Sequence, residues 1–393
     1  MKWHLTQIGS RENYLYPRII NNKGLLGSFS TDIWFNHVHQ LPLRGKLMRL
    51  KSRYHSDLKN VKVHSKNLNS IYRMFFPYKG NRFDQLCTQG ENFSKWAIKN
   101  IVHNGLNSGD SVFGYTCASL EIAKIAKQSG AKMILGQFDP AFYWYDIQRV
   151  ESEKWHKVNN QYYPSQNFKD RVLEEWHLAD TIIVNSKHCK DVLLPYGVDQ
   201  KKVKILPLPV SIDIKSKINP KKLNSDKIKI LFVGNISFGK GFAYFAEAKK
   251  LLENDSRFEF FAIGDLHIEN EVVKKNKWNL NFTGRLNKQE LTEFYLKAHI
   301  LVFPTLSEGF GQVQLEAMSF GLPVISTEKC GNVVVNNYNG KIVKEGSASE
   351  IFLAINEIVE HTQIYEEMSY NALNTVSNYS FKNIEESFWN LFG

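Results

Sequence analysis

The chain has 393 residues, long for one hydrophobic core and suited to two domains of ordinary size. Its composition is globular, with 43% hydrophobic and 13% aromatic residues. No run approaches the ~18–20 apolar residues of a membrane span, and the opening MKWHLTQIGSREN lacks a signal-peptide apolar region, so a cytoplasmic location is expected. Cys87, Cys117, Cys189 and Cys330 are scattered without metal-type spacing and read as reduced structural residues.

In chain order, the pattern predicts a first strand from Trp3 to Ile8, running into Gly9-Ser10-Arg11-Glu12-Asn13, and a helix over Tyr14 to Asn21. A glycine at the end of the first strand of a doubly wound sheet lets backbone approach a ligand, although an ordinary turn explains it equally well. Arg11 in that turn would face an interdomain cleft.

The net charge of +11 concentrates in the next stretch. Between Arg44 and Arg82 stand eleven basic residues, Arg44, Lys46, Arg49, Lys51, Arg53, Lys59, Lys62, Lys66, Arg73, Lys79 and Arg82, against the single acid Asp57. Tyr72, Phe75, Phe76 and Tyr78 lie near its end. Basic and aromatic residues together suit an anionic membrane surface or single-stranded nucleic acid; a solvated loop and helix face is the plain alternative. A membrane surface is the partner carried forward here, and no nucleic acid is expected.

An α/β rhythm follows: a strand at Ser111–Tyr115, a helix over Ser119–Gln128 closed by Gly130, and a strand at Lys132–Gly136 ending in Gln137-Phe138-Asp139-Pro140. The cluster Phe142-Tyr143-Trp144-Tyr145 lines an acceptor cleft or a core. A helix over Arg171–Ala179, a strand within Asp180–Ser186 and a helix to Leu194 lead to Pro195, Gly197, Pro207 and Pro209, which place a linker near Pro207 to Pro220.

The second domain opens with a strand over Lys229–Val233, the turn Gly234-Asn235-Ile236-Ser237-Phe238-Gly239-Lys240-Gly241 and a helix from Phe242 to Leu252. A lysine between glycines just before a helix can meet a diphosphate as a point charge while the backbone donates hydrogen bonds. Strands at Phe258–Ile263 and Leu280–Thr283 end in Gly264-Asp265 and Gly284-Arg285, and a helix covers Lys288–Ala298.

Then comes AHILVFPTLSEGFGQVQLEAMSFGLPVIST, from Ala298 to Thr327. Ile300–Phe303 is short and wholly apolar, as a strand buried on both faces must be. The glycine turn Ser307-Glu308-Gly309-Phe310-Gly311 follows, then a helix over Gln312–Phe320 stopped by Gly321 and Pro323. Strand, glycine turn, helix, strand is a phosphate-receptive order. Glu308, in the turn, can reach a sugar beyond the phosphates, while Glu316, one turn into the helix, can accept from a ribose diol.

The Glu308-x7-Glu316 stretch, PTLSEGFGQVQLEAMSFGLPVIS, resembles the signature of retaining GT-B glycosyltransferases of family 4 (glycosyl transferases group 1), strongly from Ile228 to Lys344 and weakly from Phe35 to Gly109. The resemblance implies an α/β chain of GT-B fold, two Rossmann-like doubly wound domains facing across a cleft. An acceptor-binding domain would occupy 1–207 and a nucleotide-sugar-binding domain 208–376, with a helix at 377–393 crossing back to the first. It implies transfer of a sugar from a UDP- or GDP-linked donor to a glycan or lipid-linked acceptor with retained anomeric configuration. Lys240 and Glu308 would be catalytic. Gly9, Asn235, Lys240, Arg285, Glu308, Gly309, Phe310, Gly311 and Glu316 would bind the donor, with Arg11, Gln137 and Asp139 on the acceptor or sugar side. The family's histidine after the 132–136 strand is absent, and Gln137 or Asp139 would stand in for it. Its arginine after Gly234 is replaced by Asn235, with Arg285 the candidate to compensate. No cofactor and no metal are expected, since no Asp-x-Asp motif occurs. A nucleotide-sugar epimerase and a degenerate nucleotide- or glycan-binding member are the rival readings.

Overall fold

The computed structural model describes residues 1–36, 43, 45–155, 163–210, 218–223 and 227–392. Arg44 and positions 211–217 of the expected linker lie outside the described residues. The chain divides into two compact units. One comprises Met1–Gln137, Tyr163–Val184 and Leu193–Lys204, the other Phe138–Tyr162, Asn185–Val192 and Ile205–Gly393.

The first unit carries a seven-stranded sheet of order β3-β2-β1-β4-β5-β6-β7. Its strands are β1 (Trp3–Gln7), β2 (Leu26–Thr31), β3 (Val63–Ser65), β4 (Ser111–Tyr115), β5 (Lys132–Gly136), β6 (Thr181–Val184) and β7 (Val203–Ile205). Pairings from β3 across to β6 are parallel. Helix Leu120–Gln128 agrees with the sequence pattern and the helix expected over Arg171–Ala179 begins earlier, at Gln166, capped by Ser165, whereas β2, β3 and the helix Arg82–His103 have no counterpart in the pattern. The reason in β2 is physical. Ser28, Ser30 and Thr31 are buried, Ser28 against the His4 ring at 2.9 Å, so this strand has no apolar run to read. The helix Arg82–His103 starts where the Asn81 side chain accepts from the amides of Phe83 and Asp84, an N-cap of the usual kind.

The second unit carries a six-stranded sheet of order β10-β9-β8-β11-β12-β13, parallel at every pairing. These strands are β8 (Ile228–Val233), β9 (Phe258–Ile263), β10 (Asn281–Gly284), β11 (Ile300–Phe303), β12 (Val324–Ser326) and β13 (Gly340–Ile342). All four residues of β11 are buried, as the unbroken apolar run requires; at about 1.5–3 kcal/mol for each large apolar side chain taken from water, this strand anchors the unit. The helix Lys288–Lys297 that feeds it begins with a capping box, Asn287 accepting from Glu290 N–H and Glu290 Oε2 from Asn287 N–H. Both units are α/β, as the sequence predicts. No helix among the described residues is long and apolar enough to cross a membrane.

Candidate active site

In the second sheet the strand order reverses between β8 and β11, and an open α/β sheet binds its ligands at the carboxyl ends of the strands at such a point. The loops after those two strands hold Lys240 and Glu308. They are sewn together: the Gly239 carbonyl accepts from the Leu306 amide at 3.0 Å and from the Thr305 hydroxyl at 3.3 Å. Gly241 makes this approach possible, with φ +72° and a position where a Cβ would lie 1.9 Å from the Pro304 carbonyl oxygen. The Lys240 ammonium therefore sits against the Glu308 carboxylate in an ion pair whose side chains are only 19% and 23% exposed. Burial pushes the Lys240 ammonium down to about 8, low for a lysine yet still charged at neutral pH.

Glu308 is held from both sides. Its amide donates to the Lys329 carbonyl at 2.8 Å, and the Gly309 amide lies 3.3 Å from its Oε1. Gly309 has no room for a side chain, since a Cβ would fall 2.0 Å from the Phe138 carbonyl oxygen. Phe310 is buried, its ring 6.1 Å from that of Tyr379. The loop continues through Gly311 and Gln312 into the helix Val313–Met318, and Glu316 lies in its first turn. The buried Tyr295 hydroxyl donates to Glu316 Oε2 at 3.4 Å. Burial, and next the Glu316 charge, hold that phenol well above its ordinary value.

His188 is a part of this site that sequence reasoning missed. Its Nε2 lies 3.1 Å from the Ser307 hydroxyl, one residue before Glu308, and its ring meets Tyr143 edge-on at 5.5 Å. Burial lowers the imidazole to about 4, so it is neutral and can hold the hydroxyl from one side only. Nearby, Asn185 donates to the Phe138 carbonyl at 3.0 Å, while its Oδ1 is buried without a hydrogen-bond partner among the described residues. The segment VNSKHCKD holds the only local sign of either residue.

Residues 213–375 match the model of the glycosyl transferases group 1 family. Curated relatives agree. The capsular polysaccharide biosynthesis glycosyltransferase CapM of Staphylococcus aureus is 29% identical over 164 residues, 40% of this chain and 43% of that protein. The UDP-Gal:alpha-D-GlcNAc-diphosphoundecaprenol alpha-1,3-galactosyltransferase of Escherichia coli is 30% identical over 197 residues, 47% of this chain and 49% of that one. The chain thus spans about half the length of the curated relatives it matches. Among solved structures, Anabaena HepE in complex with UDP and glucose aligns at TM-score 0.64 and 15% identity, covering 100% of this chain and 99% of its own.

The chain is similar to the glycosyl transferases group 1 family over residues 213–375. Its fold is GT-B.

The remaining predicted site residues lie on separate loops and strands. Asn235 is exposed on the loop after β8, and Arg285, with its side chain 74% exposed after β10, pairs with Asp265 at 3.1 Å. Asp139 accepts from the Ala141 amide at 2.8 Å, at the start of the helix Ala141–Trp155. That helix buries Phe142, so part of the aromatic cluster is core. In the first unit, the buried Gln137 accepts from the Trp176 indole at 3.1 Å, which ties its side-chain oxygen to packing. Gly9, at φ +89°, donates its amide to Asp32 at 2.8 Å. The Arg11 guanidinium lies 5.0 Å from the centre of the Tyr115 ring, and the Tyr115 hydroxyl donates to Glu12 at 2.5 Å. Glu12, Asn13 and Tyr14 all adopt left-handed backbone, at φ 48°, 52° and 59°. Such strain in non-glycine residues, of order 1–3 kcal/mol each, gathers at functional turns.

Proposed function

We propose that this chain is a retaining glycosyltransferase that moves a sugar from a UDP- or GDP-linked donor to an acceptor hydroxyl in the synthesis of a cell-surface glycan or glycolipid. The observation that carries this reading is the Lys240–Glu308 ion pair at the strand reversal of the second sheet. Cleaving the bond from the sugar to the diphosphate leaves negative charge on the departing phosphate. A fixed, poorly solvated ammonium stabilises that charge more in the transition state than in the ground state. Lys240 supplies it, with the backbone amides of Gly309 to Gly311 beside it. Glu308 then turns to the donor sugar and holds it in reactive geometry. A donor phosphate oxygen takes the proton from the attacking hydroxyl on the same face, which retains configuration without a protein nucleophile. No metal enters this scheme.

The reading is tested by incubating the protein with UDP- and GDP-sugars and candidate acceptors in excess chelator, and following product by proton NMR. Transfer with retained anomeric configuration supports it. Inverted product, or epimerised nucleotide sugar without acceptor, contradicts it.

Glu316 holds the ribose diol in this scheme, and its position in the first turn of the helix fits that role. Glu316→Ala is therefore expected to weaken binding of UDP or GDP by about tenfold while kcat at saturating donor changes by less than about threefold. Calorimetry and initial rates check this; an unchanged Kd would remove the assignment.

Membrane association through the 44–82 segment is part of the same proposal. It supplies about 1 kcal/mol per basic residue near an anionic surface before screening. Sedimentation with anionic liposomes should be strong at low salt and lost at high salt; equal binding to neutral liposomes would contradict it.

A further inference from the structure

We infer that a basic cavity in the first unit binds the phosphate or diphosphate group of a lipid-linked acceptor, whose hydrocarbon chain lies along an exposed apolar stripe on the adjoining helix. This rests on the transferase reading for its biological meaning, but not for its geometry. The cavity measures about 270 Å³ and is lined by Arg49, Arg53, Lys66 and Arg73, with Asp32 as its one carboxylate. Asp32 is already engaged: Arg53 pairs with it at 3.0 Å and the Gly9 amide donates to it at 2.8 Å. Arg49, Lys66 and Arg73 have no ion-pair partner among the described residues. Elsewhere on the chain basic side chains find carboxylates readily, as Arg18 does with Asp57 and Lys124 with Glu174. Like charges gathered around one hollow repel, and an anion in the hollow relieves that repulsion.

Arg73 gives a second, independent sign. Its Nε is buried with no hydrogen-bond partner among the described residues. Its guanidinium lies 4.1 Å from the centre of the Tyr78 ring, which also lines the cavity, and its one hydrogen bond among the described residues is a long one, 3.4 Å, to the Phe76 carbonyl. A guanidinium held by a ring with a donor left over is ready for a phosphate oxygen.

The helix Asn67–Phe75 decides between a soluble and a lipid-borne phosphate. Ile71 and Met74 pack inward against Ile33 and Leu50. Leu68, Tyr72 and Phe75, spaced at i, i+4 and i+7, point outward, and Phe76 follows just past the helix end with its ring stacked on that of Tyr72; the four are 87%, 54%, 47% and 59% exposed. A free phosphate or a sugar phosphate has nothing to place on such a stripe. A hydrocarbon chain esterified to the phosphate in the cavity covers it.

Calorimetric titration of the full chain tests this, with geranyl diphosphate, inorganic pyrophosphate and geraniol as probes and excess UDP present so that any diphosphate site at Lys240 is already filled. Geranyl diphosphate should bind at least about tenfold more tightly than pyrophosphate, and geraniol should not bind measurably. Lys66→Gln and Arg73→Gln should each weaken geranyl diphosphate by about tenfold and leave UDP affinity unchanged. Tyr72→Ser combined with Phe75→Ser should bring it down to the pyrophosphate level. Geranyl diphosphate binding that survives both charge variants, or that is absent from the wild-type chain, overturns the inference. Equal affinity for geranyl diphosphate and pyrophosphate overturns the lipid assignment. A wild-type chain that ignores UDP yet binds geranyl diphosphate through Lys66 and Arg73 sustains the cavity while removing the transferase reading.

Discussion

Replacing Glu308 with alanine is expected to lower kcat by about 10³-fold or more, while the Kd for UDP or GDP changes by less than about fivefold. In the scheme above, Glu308 meets the transferred sugar and not the nucleotide, so its loss falls on the chemical step. A thousandfold loss corresponds to about 4 kcal/mol of transition-state stabilisation, a reasonable size for one group that orients the reacting centre. The effect on nucleotide affinity has two parts of opposite sign. The variant removes a carboxylate from beside an incoming diphosphate, and it leaves Lys240 without its present partner and open to the phosphates. Initial rates with a saturating donor and calorimetry with the nucleotide separate the two. A Glu308→Ala protein with near-normal kcat would show that the carboxylate is only a counter-ion for Lys240.

Lys240→Ala should lower kcat/KM by about 10²–10³-fold, because both diphosphate binding and leaving-group stabilisation are lost. The pH dependence gives a sharper form of the same prediction. Burial holds the Lys240 ammonium at about 8, against ~10.4 for an ordinary lysine. Below about 8 the group is charged and attracts the diphosphate; as pH rises through that value the charge is lost and kcat/KM falls with it. An ordinary lysine would keep the rate flat for roughly two more pH units. Lys240→Arg retains its charge throughout, so its alkaline limb should move well above pH 9 even though the fork-shaped guanidinium fits the pocket less well and lowers the rate. A wild-type profile flat to pH 10 would contradict the assignment of this limb to Lys240.

The second sheet was legible in the sequence because its central strands are mostly apolar, and Ile300–Phe303 wholly so, being buried on both faces. Ile300–Phe303 reads as an apolar run bounded by Pro304, and Phe258–Ile263, interrupted only by Glu259, as a strand closed by Gly264; the structure keeps those limits. In the first unit the same pattern marks Ser111–Tyr115 and Lys132–Gly136 but not Leu26–Thr31, where three of the four buried positions, Ser28, Ser30 and Thr31, bear hydroxyls. Lys240 and Glu308 could each be picked out from local glycine context. Their contact could not, because it arises from the reversal of strand order between β8 and β11 and from the close approach at Gly241. His188 is separated from Ser307 by 119 residues, so neither periodicity nor spacing connects them. Nor does any sequence rule expect Glu12, Asn13 and Tyr14 to share left-handed backbone. The basic segment reads in the sequence as a membrane-facing or solvated surface; that Arg49, Arg53, Lys66 and Arg73 wall one cavity is visible only in the structure.

The most direct test is the position of a nucleoside diphosphate in crystals grown with UDP or GDP. The diphosphate is expected against the Lys240 ammonium and the amides of Gly309 to Gly311, with the ribose hydroxyls on the Glu316 carboxylate and Glu308 left free for the sugar. A nucleotide bound elsewhere, with the Lys240–Glu308 pair undisturbed, would contradict it.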